Sequence, residues 1–522
     1  MSLSIYLNQL DSHLLTKENW NNNTIGKTVV SYSDDVNMVD FDVALIGVME
    51  QRGNIENDGC GSAPDKIREQ LYSLYHRFGK GVRILDMGNV LAGNTYKDTY
   101  FALTTVVTEL IKREVVPIII GGSHDLTYAN YQAYENLEQV VNLVSIDRSI
   151  DLGVINNEIT EENFINHIIM HQPNFLFNFS SVGYQSYYVE KEIDAMMERM
   201  HFDAYRLGVV RQNIQEMEAI VRNADILSFD VNAIKSSEFS GYAKPNPNGF
   251  LSDEICRISR YAGLSDKLTS FGVYNYNPVY DSTRNGAMLL AQMIWYFIEG
   301  YRERKGDYPV ASKSKYKKYH VAIEKNKEYE LIFYKSDSGR WWMEVPHPSD
   351  FNSRFVRHQM VPCSYSDYES ALNEITLSKP IYKEYSGMKQ EELMNTVESF
   401  KSDRGSILAG VMGGRLAEGI DYPDTSLEMA IIVGIPYPAP GVRQEALQHY
   451  FDVCFHGKGW EYAVESPALR KILQAAGRVI RSENDRGVIV ITDGRAGKFA
   501  DNIPDLELSN DIVTDVVNFF EA

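Results

Sequence analysis

Cysteine is scarce in this chain and widely spread. Its 522 residues include four cysteines, Cys60, Cys256, Cys363 and Cys454, and no two of them form a C-x-x-C pair. This spacing excludes a disulfide framework, which needs several cysteines at short intervals. The sequence therefore predicts reduced and mostly buried thiols, as in a cytoplasmic protein.

Basic excess and long apolar runs are also missing. Lys and Arg number 51 against 71 Asp and Glu, which gives a net charge of −20 and a pI near 5.1. This acidity excludes nucleic-acid binding over the whole surface, although a local basic patch stays compatible with it. No apolar stretch approaches the roughly 18 residues of a membrane span, and no basic region precedes an apolar run at the N-terminus. We expect a cytoplasmic protein without membrane association.

Short apolar runs alternate with amphipathic segments between Phe41 and about Arg304. This alternation predicts βαβ units and a parallel sheet covered on both faces, with ligands at the carboxyl ends of the strands. The predicted strands are Val43–Val48, Val115–Ile120, Val140–Ile146, Asp225–Phe229 and Lys267–Val273. The predicted helices are Pro64–Tyr75, Tyr100–Arg113, Val189–Met200, Asn213–Arg222 and Arg284–Tyr301.

The pattern changes twice further along the chain. We predict three parts: an α/β domain over residues 1–305, a small β-rich appendage with its linker over 306–386, and a second α/β region over 387–522. In the appendage, Trp341 and Trp342 lie near several lysines and could stack single-stranded nucleic acid. We favour the alternative that they bridge the appendage to the first domain.

Polar clusters follow three of the predicted strands in the first domain. They are Gly121-Gly122-Ser123-His124-Asp125, Asp147-Arg148-Ser149-Ile150-Asp151 and Asp230-Val231-Asn232. Divalent cations prefer carboxylate oxygens, and manganese also accepts imidazole. A water bound to such a metal becomes a usable hydroxide near neutral pH. The strand ends therefore predict a metal site.

These residues resemble the arginase, agmatinase and formimidoylglutamase superfamily of ureohydrolases, over about residues 40–304. The resemblance implies an arginase-like three-layer α/β fold and two manganese ions that share a hydroxide. It rests on five motifs in the family's order: Gly59–Arg68, Gly121–His124, Asp147–Asp151, Ser228–Asn232 and Asn277–Asp281.

The ligand motifs also depart from the family pattern. By the resemblance, His124, Asp147, Asp151 and Asp230 are the retained metal ligands, and His124 and Asp147 are the candidate catalytic residues. Ser149 stands where the family has a His, and Asn232 where it has an Asp. Because serine is a poor ligand and asparagine carries no charge, we expect one manganese ion or none rather than two.

The substrate side departs as well. Active members of the family carry a glutamate for the guanidinium-like group just before the Asn277 motif, where this chain reads Gly272–Tyr276 without a carboxylate. Arg148 could also replace a metal by pairing with one of the aspartates. The leading hypothesis is therefore a degenerate ureohydrolase fold that acts as a binding or scaffold protein. The alternative is a manganese-dependent hydrolase of a guanidino or formimidoyl C–N bond.

The last part of the chain, from about Met388, resembles the C-terminal part of an XPD-type superfamily 2 DNA helicase. The resemblance rests on Gly413–Asp421 and Gln474–Arg481. It implies that nucleotide is contacted by Glu418, Gly419, Asp421, Gln474, Arg478 and Arg481.

No G-x-x-x-x-G-K-[ST] loop occurs in the sequence, so we expect this chain alone to bind no ATP and to lack autonomous helicase activity. The Ser386-Gly387-Met388 junction suggests a fusion of two families. Expected partners are a protein or a second copy of the chain, and nucleic acid would contact only the last part. A second alternative function is therefore that of a nucleic-acid-associated helicase fragment.

Overall fold

The structure is a computed structural model of the chain. It describes residues 2–154, 158–308, 316–322, 330–345, 357–374, 381–385, 388–403, 405–410, 412, 415–418, 427–438, 441–480, 486–503, 505–509 and 511–521. The chain divides into two compact units, residues 1–375 and 376–522. The three-part division with boundaries at 305 and 386 stays a prediction.

The secondary structure alternates strands and helices through most of the first unit. The strands are β1 (Leu7–Asn8), β2 (Val30–Ser31), β3 (Val43–Val48), β4 (Ile84–Val90), β5 (Val116–Ile120), β6 (Val141–Ile146), β7 (Leu176–Tyr184), β8 (Asp203–Arg206), β9 (Ile226–Asp230), β10 (Ser270–Tyr274), β11 (Lys317–Ala322), β12 (Glu330–Lys335), β13 (Trp341–Glu344), β14 (Met360–Cys363), β15 (Ile381–Lys383), β16 (Ile407–Ala409), β17 (Met429–Ile432) and β18 (Val488–Ile491). The helices are α1 (Ser12–Leu15), α2 (Ile25–Thr28), α3 (Ala63–Ser73), α4 (Tyr96–Ile111), α5 (Leu126–Glu135), α6 (Phe164–Met170), α7 (Lys191–Arg199), α8 (Leu207–Gln212), α9 (Met217–Arg222), α10 (Ser252–Leu264), α11 (Asn285–Arg302), α12 (Tyr365–Glu374), α13 (Gln390–Ser402), α14 (Arg415–Glu418), α15 (Val442–Cys454), α16 (Ser466–Ala476) and α17 (Ile512–Glu521).

A ten-stranded sheet forms the centre of the first unit, in the order β1-β4-β3-β5-β10-β9-β6-β7-β8, with β2 beside β4. The pairs are parallel except β1 with β4. Every residue of β3, β5, β6, β9 and β10 is buried, because helices cover both faces of these strands. The predicted parallel α/β sheet is confirmed.

The two faces of the sheet carry separate hydrophobic cores. Helices α3, α10 and α11 pack on one face, and α4, α5 and α6 pack on the other. Two glycines let α10 and α11 approach closely: a Cβ on Gly263 would lie 2.0 Å from the Phe297 carbonyl oxygen, and one on Gly300 would lie 2.3 Å from that of Arg260. This tight helix pair packs against one face of the central strands.

Some elements were missed or misplaced by the sequence patterns. The runs that form β4, β7 and β8 mix polar residues with apolar ones, as in Asn178–Ser181 of β7, so their apolar pattern is weak. The helix predicted over Asn213–Arg222 is wrong in extent, since α9 begins only at Met217 and a separate helix, α8, precedes it. Strands β4, β7 and β8 were missed because their polar residues are accommodated by tertiary packing, which the local sequence pattern does not show.

The appendage of the first unit is a four-stranded antiparallel sheet, β11-β12-β13-β14. Arg222 of α9 is 3% exposed and reaches into this sheet. Its guanidinium lies 4.5 Å from the Trp342 ring centroid and donates hydrogen bonds to the carbonyl oxygens of Trp341 and Cys363. The Trp342 ring and the Trp341 carbonyl oxygen therefore join the appendage to the α/β domain through Arg222, while the Trp341 ring packs inside the appendage, so the favoured interpretation holds for the Trp342 side chain.

The second unit contains two small parallel sheets, β15–β16 and β17–β18. They pack in two separate apolar clusters, one around Leu393 and Val397 of α13 and one around Ala468 and Ile472 of α16. None of the helices within the described ranges is long and apolar enough to cross a membrane.

Candidate metal centre

The candidate site lies at the carboxyl ends of four neighbouring strands, β5, β10, β9 and β6. The loop after β5 brings His124, β6 is followed by Asp147, and β9 ends at Asp230. Gly122 makes the first of these turns possible, because a Cβ there would lie 1.7 Å from the carbonyl oxygen of Glu50. The parallel register thus brings together residues that are distant in sequence.

The His124 imidazole lies at the centre of this cluster and is fully buried. Its Nε2 lies 2.8 Å from Ser228 Oγ, which fixes the orientation of the ring. Its Nδ1 faces three carboxylate oxygens, Oδ2 of Asp147 at 3.2 Å, Oδ2 of Asp151 at 3.4 Å and Oδ2 of Asp230 at 3.3 Å. The structure therefore brings all four predicted ligands around one point.

The two oxygens of each aspartate have different surroundings. Ser149 donates to Oδ1 of Asp147 from its backbone N–H at 2.9 Å and from its hydroxyl at 3.1 Å, and that hydroxyl also lies 3.1 Å from Oδ1 of Asp151. The backbone N–H of Asn232 donates to Oδ1 of Asp230 at 2.8 Å. The Oδ1 atoms are thus bound within the protein, while the Oδ2 atoms face His124.

These donor atoms fit a divalent cation. Ligand atoms at right angles around an ion about 2.2 Å away lie about 3.1 Å apart, close to the 3.2–3.4 Å measured from Nδ1. Ligand atoms of His124, Asp147 and Asp151 lie within 4.8 Å of one another. His124 Nδ1 and Asp147 Oδ2 are buried without a hydrogen bond among the described residues. An ion would give both orphaned atoms a partner.

The pKa values of the cluster reflect burial and the repulsion between neighbouring carboxylates. Burial, together with the neighbouring Asp147 carboxylate, raises the pKa of Asp151 to about 8. Burial lowers the pKa of His124, but the surrounding aspartates outweigh it and raise that pKa well above its usual value. In the absence of an ion the cluster therefore retains protons that a bound cation would displace.

Arg148 does not take the place of a metal. Its guanidinium lies 4.7 Å from the Tyr188 ring centroid and 5.4 Å from that of Tyr242, and it donates to the Lys244 carbonyl oxygen at 3.2 Å. No ion pair joins it to the clustered aspartates within the described part of the chain. The hypothesis of an arginine replacing the ion is wrong, because stacking on the two tyrosines holds the guanidinium away.

One acidic residue of the site was missed by the sequence analysis. Glu161, in the loop between β6 and α6, receives a hydrogen bond at Oε2 from Asn275 Nδ2 at 2.8 Å and another from Asn54. The same Nδ2 donates to Asp230 Oδ2 at 2.6 Å. Burial, and next the Asp230 charge, raise the pKa of Glu161 well above its usual value. The Thr160-Glu161-Glu162 run has no motif character, so only the fold reveals its position.

The predicted nucleotide-contacting residues of the second unit are only partly described. Gln474 lies near the end of α16 with an exposed side chain, and Arg478 is half-buried in the turn that follows the helix. Gly419, Asp421, Arg481 and the side chain of Glu418 lie outside the described residues. The helicase assignment of these residues stays a prediction.

Comparison with known proteins finds a family match in each of two segments of the chain. Residues 41–299 match the sequence model of the Arginase family, and residues 357–505 match that of the Helicase C-terminal domain. The first of these segments is arginase-like. Both resemblances noted in the sequence are confirmed, and the second match supports a fusion of the two families.

Individual relatives match the arginase-like part. The formimidoylglutamase of Streptococcus gordonii is 22% identical over 285 residues, which cover 49% of this chain and 83% of that protein. The formimidoylglutamase of Staphylococcus aureus is 24% identical over 266 residues, covering 48% and 82%. A structure of Trypanosoma cruzi formiminoglutamase with Mn²⁺ superimposes with a TM-score of 0.48 at 18% identity and covers 52% of this chain and 96% of that one.

Proposed function

We propose that the arginase-like unit binds one divalent cation, manganese, through His124, Asp147, Asp151 and Asp230. The observation that carries this proposal is the convergence of three Oδ2 atoms on His124 Nδ1. Buried carboxylates at this density are costly unless a cation compensates them. One ion would bind both His124 Nδ1 and Asp147 Oδ2, which are buried without a hydrogen bond among the described residues.

A second ion is not expected at this site. The Oδ1 atoms of Asp147 and Asp151, which would bind it, share the single hydroxyl proton of Ser149, whose Oγ lies 3.1 Å from each of them. The side-chain oxygen of Asn232 accepts a hydrogen bond from the Arg148 backbone N–H at 3.2 Å. An amide in that position also brings no negative charge toward another dication.

The function that follows is binding rather than hydrolysis. A single bound cation already lowers the pKa of a coordinated water. Hydrolysis is disfavoured because the described residues offer no free ligand atoms for the second ion of the ureohydrolase pattern and because Gly272–Tyr276 contains no carboxylate for a guanidinium-like group. We therefore propose a degenerate ureohydrolase fold that uses its single ion to hold a ligand or a protein partner. The second candidate, favoured by the names of the relatives, is a manganese-dependent hydrolase of a formimidoyl or guanidino C–N bond.

A manganese titration of the metal-free full chain tests this proposal. Electron paramagnetic resonance counts free Mn²⁺ while calorimetry gives the stoichiometry, and we expect one ion per chain. The Mn²⁺-loaded chain is then incubated with formimidoyl-glutamate, agmatine and arginine, and release of formamide or urea is measured. The proposal expects no release above the rate of His124→Asn. Two bound ions with product release would establish the hydrolase instead, and no bound ion at millimolar Mn²⁺ would exclude both.

A further inference from the structure

A cavity of about 530 Å³ lies among helices α4, α5 and α6 of the first unit. Its walls include Tyr100 and Phe101 of α4, Tyr128 of α5 and His167 of α6. None of the four candidate ion ligands is among the described residues that line it. Small-molecule sites typically have volumes of about 300–1,000 Å³. This lateral cavity is therefore a candidate ligand site that is separate from the ion cluster.

Aromatic rings form much of the wall of the lateral cavity. Phe101 has 63% of its surface exposed. Tyr100 is buried and its hydroxyl donates to Asp125, so it contributes its ring rather than its hydroxyl. The ring centroids of Tyr100 and Tyr128 lie 6.1 Å apart at an interplanar angle of 49°, and no two lining rings stack face to face among the described residues. The exposed face of Phe101 is thus open to a flat ligand.

Two side chains give the same cavity a hydrogen-bonding edge. His167 Nε2 is buried without a hydrogen bond among the described residues. Burial lowers the pKa of His167, so the imidazole is neutral at pH 7 and carries one donor and one acceptor nitrogen. The half-buried Gln132 side chain also lines the cavity and makes no hydrogen bond within the described part of the chain. Its carboxamide places an acceptor beside a donor, and both are available to a ligand.

The position of Tyr128 is fixed by a hydrogen-bonded relay. Its hydroxyl oxygen lies 2.9 Å from His171 Nδ1, and His171 Nε2 lies 2.8 Å from Glu135 Oε2. The Tyr128 ring is therefore held in one orientation. Lys97 is the only lysine or arginine among the described lining residues. Since phosphate groups are bound by several cations, this lining favours an uncharged ligand over a nucleic-acid strand.

We propose that the lateral cavity binds a small planar amino-heteroaromatic compound, of the aminopurine or aminopyrimidine class. The ring lies against Phe101 and Tyr128. Its adjacent amino group and ring nitrogen pair with the Gln132 carboxamide, an arrangement for which this side chain has the matching geometry. His167 Nε2 binds a further polar group of the ring. The site shares no lining side chain with the ion centre, so binding is the same with and without Mn²⁺.

Fluorescence of 2-aminopurine tests this inference in the full chain. The free base is titrated with protein, and stacking on an aromatic side chain quenches its emission. We expect saturable quenching at one site per chain. Phe101→Ala removes a stacking surface and should weaken binding about tenfold. Tyr75→Ala is the matched control and should bind as wild type, because Tyr75 is 62% exposed but does not line the cavity.

Purine, which has the ring but not the amino group, tests the hydrogen-bonding edge. Its affinity is measured by competition with 2-aminopurine, and we expect it to bind the wild type about five- to tenfold more weakly. This difference should disappear in Gln132→Met, which keeps the side-chain size but has no carboxamide. An equal loss for both compounds would overturn the role of Gln132. If Gln132→Met does not fold, the contrast between the two compounds in the wild type, together with Phe101→Ala, still decides the question.

Four other outcomes would overturn the inference. Absence of saturable quenching at millimolar 2-aminopurine would show that the cavity holds no such ring. Displacement of the probe by Mn²⁺ would assign it to the ion centre. A single-stranded oligoadenylate that competes more strongly than free adenine would indicate nucleic acid instead of a small molecule. A dimer that excludes the probe and dissociates in Phe101→Ala would make the cavity a contact between two copies of the chain.

Discussion

Ser149 donates two hydrogen bonds to Oδ1 of Asp147, from its backbone N–H at 2.9 Å and from its hydroxyl at 3.1 Å. In the ureohydrolase pattern this position carries a histidine that would act as a metal ligand. Here the residue acts as a hydrogen-bond donor, so Asp147 Oδ1 is used within the protein and only Oδ2 faces His124. Together with the uncharged Asn232, this contact is the reason we expect the site to hold one ion rather than two.

Restoring the two substituted ligands should restore a second ion. The double variant Ser149→His with Asn232→Asp replaces a donor by an imidazole and adds a negative charge, so we expect two bound Mn²⁺ ions instead of one. The measurement is stoichiometry by electron paramagnetic resonance and calorimetry. The control Ser149→Ala with Asn232→Ala should still bind one ion. A stoichiometry of one in the restored variant would show that the surrounding shell, rather than these two residues, excludes the second ion.

Asp151→Asn should have opposite effects on stability and on metal binding. Burial and Asp147 raise the pKa of Asp151 to about 8, so at neutral pH the metal-free chain has to take up a proton at this carboxylate in order to fold, and asparagine removes that cost. We expect the free energy of unfolding to rise by about 1–3 kcal/mol without metal, and the Mn²⁺ affinity to fall by about 100-fold. Thermal unfolding with and without Mn²⁺ measures both. Asp253→Asn, at an exposed position on α10, is the control and should change neither.

Arg68 should contribute strongly to the stability of the first unit. It is fully buried, and its guanidinium donates to both oxygens of Asp86, at 2.7 and 2.9 Å, and to Asn89 Oδ1 at 2.5 Å. Arg68→Met leaves Asp86 buried without its cation, which should cost about 3–5 kcal/mol in urea unfolding. The matched control is Lys66→Met on the same helix, whose exposed pair with Glu69 should be worth less than about 1 kcal/mol. Equal losses in the two variants would contradict this account.

The free energy of unfolding should decrease as the pH is lowered, because of His358. Burial, and next the Lys267 charge, lower the pKa of His358 from 6.5 to about 4. Between these values the unfolded chain binds a proton that the folded chain does not, so this group's contribution is full above about pH 6.5 and decreases as the pH falls toward 4. When the pH is lowered from 6.5 to 5, the free energy of unfolding of His358→Gln should decrease by about 2 kcal/mol less than that of the wild type.

Tryptophan fluorescence during urea unfolding is a suitable measurement for this pH effect. Trp20, Trp295, Trp341 and Trp342 lie in residues 1–375, and Trp460 is in the second unit. The signal therefore reports mainly on the unit that contains His358. Parallel curves of stability against pH for wild type and His358→Gln would refute the assignment.

The helicase-like unit should hydrolyse no ATP by itself. The chain has no G-x-x-x-x-G-K-[ST] loop to hold the phosphates, and arginines alone do not supply that function. Phosphate release with and without single-stranded DNA should therefore stay at background in the full chain. Activity that disappeared in Arg478→Ala would contradict this prediction and would assign a catalytic contact to the unit.

The sequence predicted the central strands closely because they are continuous apolar runs. Val43–Val48 is found unchanged as β3, and four other predicted strands differ from the structure by one to three residues at an end. The edge strands were missed because polar residues interrupt them, as in β8 with Asp203 and Arg206. A local pattern cannot show that a polar residue is compensated by a partner from elsewhere in the fold.

The sequence by itself determined the fold class and the four residues of the candidate ion site, since both depend on order and spacing along the chain. Tertiary structure alone decided which carboxylate oxygen each aspartate turns toward His124, that Arg148 stacks on tyrosines, and that Glu161 lies beside Asp230. The physical reason is that these relations are distances between side chains from different loops. Such distances are set by how the sheet and its helices pack, and no spacing in the sequence records them.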